Sequence, residues 1–534
     1  MSSSFTLRSA SEHHRHSVVL ALLALVLFAI GNYHQSVIGF DSRFVLFAQE
    51  MLRHGPGLFP TSYGEPYPDY SATSTFFIYL LSLPFGQVSS LTAWLPTAIA
   101  SAVVVMLMYR LLAPYSRNWA LASIALMLLS VTFVTETRAV SLDQMLAAVA
   151  FSVFYLAYAA DHFGASRRLL AVFALLVLGF AVRGPIGLVI PTGMLCSYYL
   201  LTGQWKRMFG VGFAALALLG LCIGLLLWAA DVSGGASFVQ DVIRMQVTGR
   251  IDGSEGSSGV LYYFTSALGN YALAYPLALL ALICVLVAGR DERGPALTLL
   301  GLCVAAGLIV MIGLSIPMAK KARYILPMLP MAAIAAAYPF QASQGRAFVF
   351  LRGLIQGLWL IMPTLLIAGL LVIRHKFAER MGSVSGVIGL LVVLQAVALA
   401  FMFKFRAARI PGLAGCAVLA LWGAYILVFE PVERQMYDTR SLTQSVQQAT
   451  QANPAPLVLY GMGKDAKAIK FVVNIDEDLL PVFADTPEQL AALPGPAWIL
   501  LSKADYRKLP VTSGTPVLGG MFDKDDYMLL RRDH

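Results

Sequence analysis

Two acidic residues, Asp41 and Asp143, stand out as candidates for chemistry because Asp41 closely follows a long apolar segment and Asp143 lies at the start of another. Ionisable groups at membrane depth are costly to desolvate, so each one is a candidate for function. A carboxylate beside a water-filled cavity is able to orient an attacking group or take its proton. Aspartate is also a favoured helix N-cap, and Asp143 is near enough in the chain to pair with Arg138, so capping and ion pairing remain structural alternatives.

Basic residues form the second group of candidates. Arg183 lies in the tight turn Val182-Arg183-Gly184-Pro185, and Lys320, Lys321 and Arg323 cluster just before Tyr324. Lys and Arg are the side chains that bind phosphate, which favours an anion site, although an interface anchor or ordinary headgroup contact is the structural alternative. Carboxylates on one part of a cavity and cations on another suit a membrane-embedded substrate with an anionic head, such as a lipid-phosphate-linked sugar.

The composition indicates what must position these residues. The chain has 534 residues, of which 58% are hydrophobic and only 13% charged, about half the charged fraction of a soluble protein. Its net charge of +9 is unevenly distributed, since residues 431–534 contain 11 Lys/Arg and 13 Asp/Glu whereas the rest contains 27 and 16. The positive excess therefore lies in short loops between apolar segments, which indicates membrane orientation and not nucleic-acid binding.

About thirteen apolar segments are long enough, or nearly so, to be transmembrane helices of an all-α polytopic membrane protein. Basic residues precede the first segment and recur in every second loop from Arg110 to Arg409. The N-terminus is therefore expected in the cytoplasm and the C-terminal region outside. The segments run near residues 17–36, 92–113, 119–135, 142–160, 168–183, 185–202, 209–230, 262–287, 295–315, 323–340, 351–373, 384–404 and 411–430.

The pattern predicts two domains, a transmembrane domain over residues 1–430 and a soluble α/β domain over residues 431–534. The membrane domain has two long outer loops, 37–91 and 231–261. The first opens with apolar residues at helical spacing, which predicts an amphipathic helix at the membrane interface, and the second is rich in Gly and Ser. In the soluble domain, Leu457–Tyr460 and residues 498–501 read as strands, and residues 439–451 and 487–493 as helices.

Several motifs, taken in order, resemble the GT-C superfamily of polyprenyl-phosphate-sugar glycosyltransferases. The likeness is strongest to the aminoarabinose-transferase type that modifies lipid A, with the protein mannosyltransferases as relatives. The motifs are Phe40-Asp41-Ser42-Arg43 with Gln49-Glu50-Met51-Leu52, Gly64-Glu65-Pro66-Tyr67, Ser141-Leu142-Asp143-Gln144, Arg183-Gly184-Pro185, and Ser315-Ile316 to Lys320 with Tyr324-Ile325-Leu326-Pro327.

The resemblance implies roles for the candidate residues. Asp41 would be the catalytic carboxylate and Asp143 a second acid beside it. The donor phosphate would be bound by Arg183, Lys320, Lys321 and Arg323, and the substrate cavity would be lined by Arg43, Asp69, Arg138 and Tyr324. The family fold has thirteen helices and a periplasmic C-terminal α/β domain.

This sequence departs from the family at two motifs. It has Asp41-Ser42 where the family has Asp-Glu, and Asp69-Tyr70-Ser71 where the family has Glu-Lys-Pro. The second outer loop also lacks the histidine that would complete a divalent-metal site, and all five cysteines fall in apolar segments. We therefore expect no metal and no other cofactor.

These features predict a monomeric glycosyltransferase in the bacterial inner membrane. It would move a sugar from a polyprenyl (undecaprenyl) phosphate carrier to a lipid, glycan or protein acceptor on the extracytoplasmic face. The alternative is a transporter or flippase of a lipid-linked glycan, which would also place charges in a membrane cavity. Transporters often have duplicated halves, and no such repeat is visible here.

Overall fold

A computed structural model of the chain describes residues 7–33, 35–39, 42–69, 71–248, 258–287, 294–342, 345–376, 384–475, 478–493, 495–510 and 514–533. The chain forms two compact units. Unit 1 comprises Met1–Gly31, Pro68–Ser74 and Trp94–Val428, and unit 2 comprises Asn32–Tyr67, Thr75–Ala93 and Phe429–His534. Most of residues 37–91 thus group with the C-terminal region, whereas the sequence alone assigns them to the membrane domain.

Helices dominate the chain up to residue 424, as long apolar segments predict. In chain order they are α1 Leu7–Ala29, α2 Ser42–His54, α3 Thr73–Ser82, α4 Ser90–Leu112, α5 Arg117–Leu128, α6 Val131–Thr137, α7 Leu142–His162, α8 Leu170–Arg183, α9 Pro185–Leu201, α10 Trp205–Ile243, α11 Tyr262–Asn270, α12 Ala274–Val287, α13 Pro295–Ser315, α14 Leu329–Ala336, α15 Arg346–Lys376, α16 Ser385–Phe403 and α17 Arg409–Ala424.

Seven helices among the described residues are long and apolar enough to cross a membrane. The number rises to nine if the bent pairs α5–α6 (72°) and α11–α12 (110°) each count as one span. The polytopic membrane fold is therefore confirmed, although the number of thirteen spans is not. Within the predicted outer loop 231–261, α10 continues to Ile243 with a break at Gly235, so much of this stretch is helical.

The bend between α5 and α6 shows how unit 1 accommodates a broken helix. A broken helix leaves backbone carbonyl groups without their intrahelical donors, and a buried one needs another partner. The indole nitrogen of Trp422, on α17, donates to the carbonyl oxygen of Leu128 at 3.0 Å. Phe28, on α1, packs against the same indole with ring centroids 5.0 Å apart. The bend is thereby held by aromatic side chains from two other helices.

Unit 2 contains five strands, which are β3 Leu457–Tyr460, β4 Val482–Ala484, β5 Ala497–Ser502, β6 Thr515–Phe522 and β7 Asp525–Arg532. They form a mixed sheet in the order β4-β3-β5-β7-β6. Strand β3 pairs in parallel with β4 and β5, and β7 pairs antiparallel with β5 and β6. The two predicted strands and two predicted helices are present to within two residues at every end. The helices of this region are α18 Glu430–Met436, α19 Ser441–Ala452, α20 Ala468–Val472, α21 Pro487–Ala491 and α22 Lys503–Tyr506.

The predicted amphipathic helix is α2, and its apolar face is buried within unit 2. Its Glu50 carboxylate, which is also buried, accepts hydrogen bonds from the backbone N–H groups of Tyr63 and Gly64. These two residues form the turn of a short hairpin between β1 Thr61–Ser62 and β2 Glu65–Pro66, and both have positive φ. The side-chain amide of Gln49 donates to the carbonyl oxygen of Val473 at 3.1 Å, so α2 is joined to the C-terminal region.

Candidate active site

Asp143 is the centre of a buried group of charges in unit 1. The N-cap of α7 is Ser141, whose side chain accepts from the Gln144 N–H, so capping does not require Asp143. One carboxylate oxygen, Oδ1, accepts from both Nε and Nη2 of Arg183 at 2.8 Å. The other, Oδ2, lies 3.4 Å from Nε of Arg323. Asp143 thus joins the start of α7 to two basic residues that are distant in the sequence.

The Arg183-Gly184-Pro185 turn positions the first of these bases. Gly184 has φ 64° and ψ −152°, a backbone conformation that glycine adopts readily and other residues rarely adopt. Pro185 is the first residue of α9, a position where the backbone N–H has no partner within the helix, so the missing N–H of proline costs nothing. Helices α8 and α9 meet at Gly179 and Gly187, where a Cβ on Gly187 would lie 1.8 Å from the Gly179 carbonyl oxygen. Close backbone contact therefore fixes the end of α8, which carries Arg183.

The second basic residue, Arg323, lies in the short 3₁₀ segment Ala322–Met328. The side chain of Arg323 is 24% exposed, against 9% for that of Arg183, so it is the more accessible of the two guanidinium groups. Its neighbour Tyr324 lies under Arg183, with the guanidinium carbon 5.0 Å from the ring centroid, a cation–π distance. The segment is held by Tyr271, whose hydroxyl donates to the Ala322 carbonyl oxygen at 2.8 Å.

A second carboxylate, Glu136, belongs to the same group and was not singled out from the sequence. The Ser141 hydroxyl donates to its Oε2 at 2.5 Å, and its charge interacts with Arg323, Asp143 and Arg183. The charged group therefore contains two carboxylates and two guanidinium groups, of which Asp143 makes the direct contacts to both arginines. Glu136 stands five residues before Ser141, so its nearness to Asp143 in the chain was the available signal. Tyr271 offered no such signal, because buried tyrosines are common in apolar helices.

The remaining predicted residues have different surroundings. Lys320 donates from Nζ to the Ser258 carbonyl oxygen at 3.0 Å, and Lys321 is the N-cap of the Ala322–Met328 segment. Arg138 is buried and donates to the carbonyl oxygens of Phe28 and Ile30, both at 2.9 Å, so it caps the end of α1.

Three more predicted site residues, Asp69, Arg43 and Asp41, are not among the contacts of Asp143 described above. Asp69 is buried in the Pro68–Ser74 segment of unit 1. Arg43 belongs to unit 2, with its guanidinium carbon 5.0 Å from the Phe44 ring centroid. Asp41 falls outside the described residues, so its surroundings stay a prediction.

A metal site needs several donor side chains close together. Among the residues that the structure describes, no group of three or more His, Cys, Asp or Glu side chains is arranged to hold a metal ion. Asp143 forms ion pairs with two arginines, and the charge of Glu136 interacts with the same two, so these arginines compete with a cation for both carboxylates. That the reaction needs no metal remains a prediction.

Comparison with known proteins places this arrangement in a fold. Residues 72–229 match the family model of dolichyl-phosphate-mannose-protein mannosyltransferases. A comparison with curated protein sequences gave no match. Crystal structures of ArnT from Cupriavidus metallidurans, in the apo state and bound to undecaprenyl phosphate, superpose with TM-scores of 0.72 and 0.70. Both are 16% identical in sequence, with 96% of this chain and 97% of that chain covered. The arabinosyltransferase EmbB from Mycobacterium smegmatis has a TM-score of 0.43 at 15% identity, over 82% of this chain and 42% of its own.

The chain therefore is an integral membrane protein with the GT-C glycosyltransferase fold, which confirms the predicted fold class. Its fold is that of ArnT over almost the whole length of both chains. These findings support the predicted enzyme class, and none of them supports the alternative of a transporter.

Proposed function

We propose that this protein moves a sugar from a polyprenyl phosphate carrier to a lipid, glycan or protein acceptor at the extracytoplasmic face of a bacterial inner membrane. The observation that carries the proposal is the buried group formed by Asp143, Arg183 and Arg323 within a GT-C fold. The undecaprenyl phosphate bound to ArnT supports the same carrier here. By the resemblance to enzymes that modify lipid A, a lipopolysaccharide component is the acceptor we favour.

The chemistry assigns a separate task to each group. An acceptor hydroxyl or amine attacks the anomeric carbon, its proton passes to Asp41, and the bond between that carbon and the phosphate oxygen breaks. The electron pair leaves with the carrier phosphate, whose charge the cations stabilise. Arg323 is the more exposed guanidinium and has the longer contact to Asp143, so it is better placed than Arg183 to turn to a phosphate. Arg183, bound through two nitrogens to Asp143, fixes the site's shape.

The first test replaces Asp41 with Asn and follows the sugar. Asn caps a helix about as well as Asp but is no base, and loss of a general base typically costs about 10²–10⁴-fold in rate. Lipids and glycans of a gene-deletion strain should lack one sugar-modified species by mass spectrometry. The wild-type gene should restore it and Asp41→Asn should not, although the variant inserts and melts normally. Asp231→Asn, a change at an exposed acid in α10, is the matched control and should restore it fully.

Purified protein separates the enzyme from a transporter. A solubilised transporter has no compartments to connect and leaves its substrate chemically unchanged, whereas the enzyme consumes the lipid-phosphate sugar and releases free carrier phosphate. Full restoration of the missing species by Asp41→Asn would reduce Asp41 to a helix cap and remove the proposed base. A purified protein that leaves the sugar carrier intact in the presence of the acceptor would overturn the enzyme proposal itself.

A further inference from the structure

Unit 2 contains a polar cavity of about 370 Å³. All of its lining residues come from the C-terminal region, and it shares none with the charged group around Asp143. Gly461, directly after β3, and Ser502, the last residue of β5, both line it. Strands β3 and β5 are parallel neighbours, so their carboxyl ends meet at one edge of the sheet. The start of β7 reaches the same edge, because Tyr527 pairs with Ser502.

The strand order marks this edge as a place where α/β sheets bind ligands. From β3 the chain moves to β4 on one side, then crosses to β5 on the other side of β3. This reversal is a topological switch point, and in open α/β sheets the crevice outside the carboxyl ends of the strands at that point is the usual ligand site. Gly461 has φ 65°, and its missing side chain keeps the crevice open beside Asp505, where a Cβ would lie 3.4 Å from Oδ2.

Charge around the cavity is balanced. The charged lining residues are three bases and three acids: Lys467, Lys503, Arg507, Asp505, Asp525 and Asp526. Lys467 forms an ion pair with Asp525, and Nζ of Lys503 is 3.8 Å from Asp526. A lining of this kind presents donors and acceptors side by side and gives neither a phosphate nor a metal cation a net electrostatic advantage.

Two of these charges are secured by hydrogen bonds. Burial lowers the pKa of the Lys467 ammonium, but hydrogen bonds to Asp525 and Tyr527 outweigh it, and the pKa is raised overall. Hydrogen bonds from Ser502 at 2.7 Å and Lys508 at 3.0 Å hold the pKa of the Asp505 carboxyl below its ordinary value. At neutral pH these groups are therefore charged and held in place before any ligand arrives.

We propose that this cavity binds an uncharged carbohydrate, one or two sugar units of a glycan. Each sugar hydroxyl both donates and accepts a hydrogen bond, so it is matched by carboxylates and ammonium groups that alternate around a small space. The volume lies at the lower end of the range of about 300–1,000 Å³ found for small-molecule sites. The proposal does not rest on the proposed function, because none of the residues that line the cavity takes part in the proposed reaction.

The test measures sugar binding to the full-length protein in lipid nanodiscs, since maltoside detergents would themselves occupy a sugar site. Saturation-transfer NMR is run with glucose, galactose, mannose, N-acetylglucosamine and arabinose, and with inorganic phosphate as a competitor. Ala504 lines the cavity and is exposed, so Ala504→Trp fills the space without disturbing the core. Ala492→Trp, at an exposed alanine that is not part of the lining, is the matched control.

We expect at least one sugar to give a signal that Ala504→Trp abolishes and that Ala492→Trp and Asp41→Asn retain. The double variant Lys503→Ala/Asp526→Ala, which keeps the net charge, should weaken binding at least tenfold without lowering the melting temperature. Absence of a signal for every sugar, persistence of the signal in Ala504→Trp, or displacement of the sugar by phosphate would each overturn the proposal. A loss in Asp41→Asn would also overturn it, because the sugar would then occupy the active site.

Discussion

The expected effect of replacing a residue in the buried charged group depends on how many oppositely charged groups that residue contacts. Asp143 contacts two guanidinium groups, whereas Arg183 and Arg323 share that one carboxylate. A buried ion pair contributes little net stability over an apolar pair, but removal of one partner is costly because the other charge stays buried. The three residues are therefore unequal in their expected effects.

We expect Asp143→Asn to destabilise the protein more than Arg183→Gln does. The first change takes the carboxylate from two guanidinium groups at once, while the second leaves Asp143 with Arg323. Breaking a buried pair costs about 3–5 kcal/mol, so both changes should be visible as lower melting temperatures in nanodiscs. Arg207→Gln, in an ion pair with Asp161 whose arginine is 55% exposed, is the control and should change little. Equal effects of the first two variants would show that Arg323 is no effective partner.

At the scale of elements, the close contact of α8 with α9 carries the most weight. A Cβ on Gly179 would lie 2.2 Å from the carbonyl oxygen of Gly187, and neither backbone is able to yield without separating the helices. Arg183 stands between the two glycines in the chain. Packing at the glycines is thus linked to the geometry of the charged group.

We predict that Gly179→Ala and Gly187→Ala lower stability and activity together. Overpacking typically costs about 1–3 kcal/mol, and a shift of α8 moves Arg183 away from Asp143. Gly220→Ala in α10 is the matched control, because nothing lies within 4 Å of its added Cβ and alanine favours a helix. Thermal unfolding and sugar transfer would be measured for all three. Gly179→Ala with wild-type melting and turnover would refute the idea that this contact sets the site.

Element type was predictable where the signal is local, and broken helices were not. Apolar runs of about 20 residues predict helices, and short apolar runs such as Leu457–Tyr460 predict strands. The sharp bend between α11 and α12 includes Leu273 at φ 70°, a conformation that leucine rarely adopts. Gly269 and Pro276 flank the bend, but neither is the residue that takes the positive φ. The partners of Asp143 were beyond reach as well. Residue types suggested anion binding, but which cation meets which acid depends on how helix ends align in space.

At the scale of the whole molecule, the distribution of basic residues predicts the membrane orientation. Reporter fusions after Arg117, Lys206 and Arg409 should report the cytoplasm, and fusions at Gly57, Gly253 and Asp505 the outside. The physical reason is that cytoplasmic loops retain Lys and Arg. Alkaline phosphatase and green fluorescent protein fusions measured in parallel would check each site. A cytoplasmic signal at Asp505 would reverse the face on which the active site is proposed.

The composition of unit 2 has a consequence for biosynthesis. Its α2 and hairpin are synthesised early, whereas the residues that they contact are synthesised late. Gln49 donates a hydrogen bond to the carbonyl oxygen of Val473, and the Tyr63 hydroxyl donates one to the carbonyl oxygen of Lys464. More than 300 residues of membrane helices must be inserted in between. During that interval the apolar face of α2 is newly made and uncovered, so the nascent chain depends on lipid or a chaperone to shield it. A stop codon near residue 430 would therefore yield a protein whose first loop never reaches its final state.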